Sequence, residues 1–85
     1  MSEEIVVYCV PDDPGNESVF RRVRGLPGVD VRVVVCPPSV RELYRMPFLA
    51  DGRGARHFGV DGIEGFVARR LAAASSPRPG GLGAP

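Results

Sequence analysis

With 85 residues, 44% apolar content and a formal charge of +1, the chain suits one small domain, and its charge calls for no anionic partner. Its basic residues are all arginine, and two cysteines are too few for a secreted disulfide scaffold. No apolar stretch approaches the ~20 residues of a membrane helix, and the acidic start at Ser2-Glu3-Glu4 lacks the basic region of a secretory leader, so a cytoplasmic protein is expected.

Ile5 to Val10 is a β-branched run stopped by Pro11, and it predicts a strand buried on both faces. Asp13-Pro14 predicts a helix start, with Asp13 as N-cap and Pro14 in the first helical position. Val19, Phe20, Val23 and Leu26 give this helix an apolar side, and Gly25 to Gly28 end it. Val31 to Cys36 predicts a second strand of the same buried kind, parallel to the first and joined to it by a right-handed crossover. Pro37-Pro38-Ser39 stops that strand, and Val40, Leu43 and Tyr44 mark a helix of about two turns. After Met46-Pro47 come a brief strand, Phe48 to Ala50, a turn at Asp51-Gly52-Arg53-Gly54, and a fourth strand, Ala55 to Phe58. Asp61 and Glu64 have capping-box spacing and open a helix that buries Ile63, Phe66, Val67 and Leu71. From Ser75 onward Ser, Pro and Gly dominate, which divides the chain into a domain over 1–74 and a disordered tail over 75–85.

Three landmarks recur in a telling order: the turn Tyr8…Pro11…Pro14, the Met46-Pro47 step before a short strand, and Gly59-Val60-Asp61-Gly62-Ile63 opening the last helix. In these the chain resembles the glutaredoxins, the minimal thioredoxin-like fold, over nearly all of its predicted elements. The resemblance implies a β-α-β-α-β-β-α domain, a four-stranded mixed sheet flanked by helices, with a cis peptide bond at Pro47. It also implies a C-P-x-C tetrad after the first strand, where this chain has Asp13-Pro14-Gly15-Asn16. A carboxylate suits the start of a helix, but it cannot exchange with a disulfide, and Asn16 is no resolving thiol. The chain therefore reads as a degenerate member without the dithiol active site.

Of the family's glutathione contacts, a basic residue and an aromatic fall on Val10 and Gly15 and are lost, while the backbone of Met46 and the side chain of Asp61 remain. Backbone beside such a proline holds an extended peptide by strand-like hydrogen bonds. The expected partner is accordingly an unidentified protein or peptide rather than tightly held glutathione, and no cofactor is expected. The expected binding face gathers Pro11, Asp12, Asp13, Asn16, Met46, Pro47, Gly59 and Asp61.

The alternative is a thiol-disulfide redox protein using Cys9 and Cys36, which end neighbouring strands. A disulfide between them requires α-carbons within about 7 Å, whereas two small buried apolar residues is the simpler reading. Cys36-Pro37-Pro38-Ser39 matches the C-x-x-S pattern of monothiol glutaredoxins, but too few residues separate it from Met46-Pro47 for a crossover and a strand. His57, the sole histidine, reads as a solvated strand residue, and no metal ligand set accompanies it. Arg21, Arg22 and Arg24, with Arg69 and Arg70, read as wet helix faces; no aromatic platform accompanies them, and nucleic-acid binding is not expected.

Overall fold

The computed structural model describes residues 2–75, which form strand β1 (Glu3–Cys9), helix α1 (Asn16–Arg24), strand β2 (Val29–Val35), a short 3-10 helix (Pro38–Glu42), strands β3 (Phe48–Ala50) and β4 (Arg56–Phe58), and helix α2 (Gly59–Ser75). The four strands make one mixed sheet in the order β2-β1-β3-β4. β1 runs parallel to β2 with Ile5 opposite Val31 and Cys9 opposite Val35, and antiparallel to β3 with Tyr8 opposite Phe48. β3 and β4 form the expected hairpin, with Leu49 opposite His57. Asp51 organises its turn: its carboxylate accepts the N–H groups of Arg53 (2.8 Å) and Ala55 (3.1 Å), and Gly54 takes the positive φ of +84° that such a turn needs.

Strand alternation sorts the sheet into two unlike faces. Ile5, Val7 and Leu49 point to one side, where α1 brings Val19 and Val23 and α2 brings Ile63, Phe66 and Val67; Leu26, just past α1, completes this core. The other side carries Tyr8, Phe48 and Phe58, opposite one another across three strands, with Tyr44 laid over them. Tyr8 stacks on Phe48 at 4.5 Å between ring centroids and Tyr44 on Phe58 at 5.8 Å, close enough for favourable aromatic pairing.

Several expectations are corrected here. Neither parallel strand is buried on both faces: β1 buries Ile5, Val7 and Cys9 on the helix side but leaves Val6 and Tyr8 half-buried on the other, and β2 is an edge strand whose Val33 and Val35 remain 40% and 64% exposed. The predicted helix around Val40, Leu43 and Tyr44 is a single 3-10 segment ending at Glu42, and Leu43 is 75% exposed. Its two starting prolines cannot donate to a helix ladder, and the Pro47 step follows too soon for a second turn to settle. Leu71 is exposed rather than buried, because α2 continues past the end of the sheet's core contacts. The Ser/Pro/Gly-rich segment lies outside the described residues apart from Ser75, which ends α2.

Candidate functional site

At the carboxyl end of β1 the chain turns sharply before entering α1. The Asp13 N–H donates to the Val10 carbonyl at 3.0 Å, and the Asn16 N–H donates to the Asp13 carbonyl at 3.2 Å. The Asp13 carboxylate accepts the Gly15 N–H at 2.9 Å, an Asx turn formed before the helix begins. This overturns the expected cap: Gly15, not Asp13, is the N-cap, and α1 starts at Asn16. The short side chain folds back onto its own turn because Pro14 lacks an N–H, so the first donor it reaches is Gly15.

Asn16 is buried, and its Nδ2 donates to the Val10 carbonyl at 2.6 Å. Its Oδ1 is buried without a hydrogen-bond partner among the described residues. Asn16 therefore lies beneath the candidate face and ties β1 to α1, rather than presenting itself on the surface. Pro11 and Asp12 are exposed on the turn, and Asp13 is half-buried.

The Met46-Pro47 bond is cis, as the resemblance implies, and Pro47 is fully buried while Met46 is half-buried. The Pro47 carbonyl accepts the Gly59 N–H at 2.8 Å, which continues the β3–β4 ladder into the first residue of α2. Gly59 makes that step at φ +76°, a conformation that a side chain at this position would strain. The three segments meet at Gly15: a Cβ placed there would lie 2.5 Å from Val60 Cγ2 and 3.9 Å from Pro47 Cδ. Glycine at this position is thus what lets the turn, the proline and the start of α2 close on one another.

Two arginines that sequence reasoning passed over frame this face. Arg45 Nη2 donates to Asp61 Oδ1 at 2.8 Å, and Arg41 Nη2 lies 3.7 Å from Asp13 Oδ2. Their i, i+4 spacing just ahead of Met46-Pro47 was the available signal. Asp61 is exposed in the first turn of a helix that begins two residues earlier, so it does not cap that helix; Glu64 instead pairs with Arg22 of α1 at 3.1 Å. Neither the N–H nor the C=O of Met46 is engaged by another group among the described residues.

The thiols stand to one side of this arrangement. Cys9 is buried and Cys36 half-buried, and both are free. The Cys36 N–H donates to the Cys9 carbonyl at 2.8 Å, one residue beyond the Cys9–Val35 pair, so strand alternation directs the two side chains to opposite faces. Burial pushes the Cys9 thiol up from its ordinary value, and the neighbouring Cys36 and Asp13 add to the shift. Cys36-Pro37-Pro38-Ser39 leads only into the 3-10 segment, not into a helix whose amino end would stabilise a thiolate.

His57 corrects its solvated reading. Its side chain is 17% exposed, its Nε2 lies 3.2 Å from Asp51 Oδ2, and its ring packs 4.5 Å from that of Phe66. The register would have shown this, since His57 faces the same side as buried Leu49. A second charged cluster lies nearby, at the end of β1 remote from the candidate face. Arg70 grips Glu3 with Nη1 and Nη2 of its guanidinium group, and Glu3 also accepts the Gly52 N–H at 2.8 Å. Arg70 and that N–H hold the Glu3 carboxyl below its ordinary pKa. Burial pushes Asp51 up, but the bonds from His57, Arg53 and Ala55 outweigh it and bring its pKa down.

No protein-family profile, curated protein or solved structure matches this chain. No group of three or more His, Cys, Asp or Glu side chains placed to hold a metal occurs among the described residues, and no helix there is long and apolar enough to cross a membrane.

Proposed function

We propose that this chain is a thioredoxin-like domain of glutaredoxin size that has given up dithiol chemistry and binds an extended peptide or protein segment. The binding face is formed by Pro11 to Gly15, Met46-Pro47 and Gly59 to Asp61. The observation that carries the reading is the free pair of backbone groups on Met46, set beside the point where Gly15, Pro47 and Val60 converge. Such a donor and acceptor pair offers a peptide two strand-like bonds, and the exposed turn at Pro11 and Asp12 supplies side-chain contacts. Arg41 and Arg45 would bias the site towards segments whose acidic groups compete with Asp13 and Asp61 for the guanidinium groups.

Glutathione finds little here. Val10 is buried where the family has a basic contact, and Gly15 packs against Val60 where an aromatic would stand. The thiol-redox alternative on Cys9 and Cys36 is disfavoured by the raised pKa of Cys9 and the divergent directions of the two side chains. No cofactor is part of the proposal. The test is to select binders from a displayed random-peptide library and titrate them into the labelled protein while following backbone amide resonances. Shifts concentrated at Val10 to Asn16, Met46 and Gly59 to Asp61 are expected. Binders that shift only resonances elsewhere would contradict the assignment.

A further inference from the structure

Among the described residues no strand pairs with the outer edge of β2, which is unusual for a small domain. It runs for seven residues, Val29 to Val35, five of them valine, with no proline, glycine or interruption of its register to β1. Edge strands left in this state pair with other strands, and natural proteins generally blunt them.

The phase of the ladder defines what that edge offers. The Glu3 N–H bonds the Gly28 carbonyl at 2.9 Å and the Cys36 N–H bonds the Cys9 carbonyl at 2.8 Å. In a parallel ladder this turns the backbone groups of Asp30, Arg32 and Val34 towards β1 and leaves those of Val29, Val31 and Val33 aimed outwards. An antiparallel partner strand must therefore match outward residues with outward residues.

We propose that β2 pairs with β2 of a second copy of this chain, antiparallel about a twofold axis at Val31, to join two sheets into one. In this register Val31 faces the second copy's Val31, Val29 faces Val33, and Asp30 faces Arg32. The outward N–H and C=O groups of Val29, Val31 and Val33 are then all used. Asp30 and Arg32 fall at the non-hydrogen-bonded positions, where side chains approach most closely.

Charge selects the register. A slip by one step in one direction puts Arg32 opposite Arg32, and the opposite slip puts Asp30 opposite Asp30; like charges so placed repel. Asp30 already lies beside Glu4 in the register with β1, and Arg32 is 3.7 Å from Glu4. The second copy's Arg32 would meet two carboxylates there. On the helix side the same pairing brings the second copy's Val29 against exposed Val33, which with Val35, Cys9 and Phe20 lines a groove of about 570 Å³. The groove also carries Pro11, Asp13 and Pro14 of the binding face, but the pairing itself uses only β2, and the inference stands without that reading.

The test is sedimentation velocity of the full chain over a dilution series, with substitutions that separate pairing from folding. The wild-type chain is expected to sediment as a dimer that dissociates on dilution. Val31→Pro removes an outward N–H together with a side chain that packs partly against the core, so its folding is checked by thermal unfolding. Folded, it should be a monomer, and the variants at exposed Asp30 and Arg32 test the pairing without touching the core. Asp30→Arg alone and Arg32→Asp alone should each weaken the dimer by about tenfold or more. Mixing those two variants should restore it, because one copy then carries arginine at both charged positions and faces a copy that carries aspartate at both. A wild-type monomer at every concentration would overturn the proposal, as would a dimer untouched by Val31→Pro and Asp30→Arg, or a failure of the two charge variants to recombine.

Discussion

Asn16 shows how much one side chain can constrain this domain. Its amide holds the Val10 carbonyl at 2.6 Å inside the turn, so Asn16→Asp would place a carboxylate oxygen against that carbonyl with no water to shield either. The expected loss is about 2–4 kcal/mol in denaturant unfolding at neutral pH, easing in acid as the new carboxyl protonates. Cys9 supports a second expectation. Because burial raises its pKa, iodoacetamide should modify half-buried Cys36 first and reach Cys9 only on denaturation. Equal, rapid labelling of both thiols would contradict the placement of Cys9 beneath the turn. Residues such as Asn16 were legible in the sequence only as types: an asparagine in the turn was plain, its burial was not, since nothing local distinguishes an asparagine on a surface turn from one tucked under it.

At the scale of elements, the order of strands and helices followed from local pattern where a stop signal stood beside an apolar run. Pro11, Gly25 to Gly28 and Asp51 to Gly54 each ended an element near the expected place. What failed was tertiary. An edge strand and a central strand look alike when both are valine-rich, so β2 read as buried. The segment from Val40 to Tyr44 had helical spacing but was confined between Pro38 and Pro47, and it settled as one 3-10 turn. The start of α1 slipped because the Asp13 side chain found Gly15 first. The close approach at Gly15 gives a direct check: Gly15→Ala would drive its Cβ to within 2.5 Å of Val60 Cγ2 and should destabilise the fold by about 1–3 kcal/mol. A silent substitution in thermal unfolding would mean that the turn, Pro47 and the start of α2 are not in contact.

For the molecule as a whole, the candidate face and the charged cluster lie at opposite ends of β1. The cluster contributes to the pH dependence of stability on the acid side. Glu3 and Asp51 have pKa values held below those of the unfolded chain, so their contributions are fully present above the ordinary carboxylate range. They are lost as pH falls through the lowered folded values. Unfolding free energy should thus be level near neutrality and decline below about pH 4.5. Glu3→Gln should flatten part of that decline and cost roughly 1–2 kcal/mol at pH 7, because a charged partner of Arg70 and Gly52 is removed. A decline starting above pH 6 would point to other groups.

The claim that this fold binds without exchanging thiols is most directly tested by intact mass after alkylation, taken on the folded protein across a glutathione redox series. The expected result is protection of Cys9 at every poise, no stable glutathione adduct on it, and no mass loss corresponding to a Cys9–Cys36 bridge. A bridge that forms and breaks reversibly within the glutathione range would contradict it and make the two cysteines the working centre of the protein.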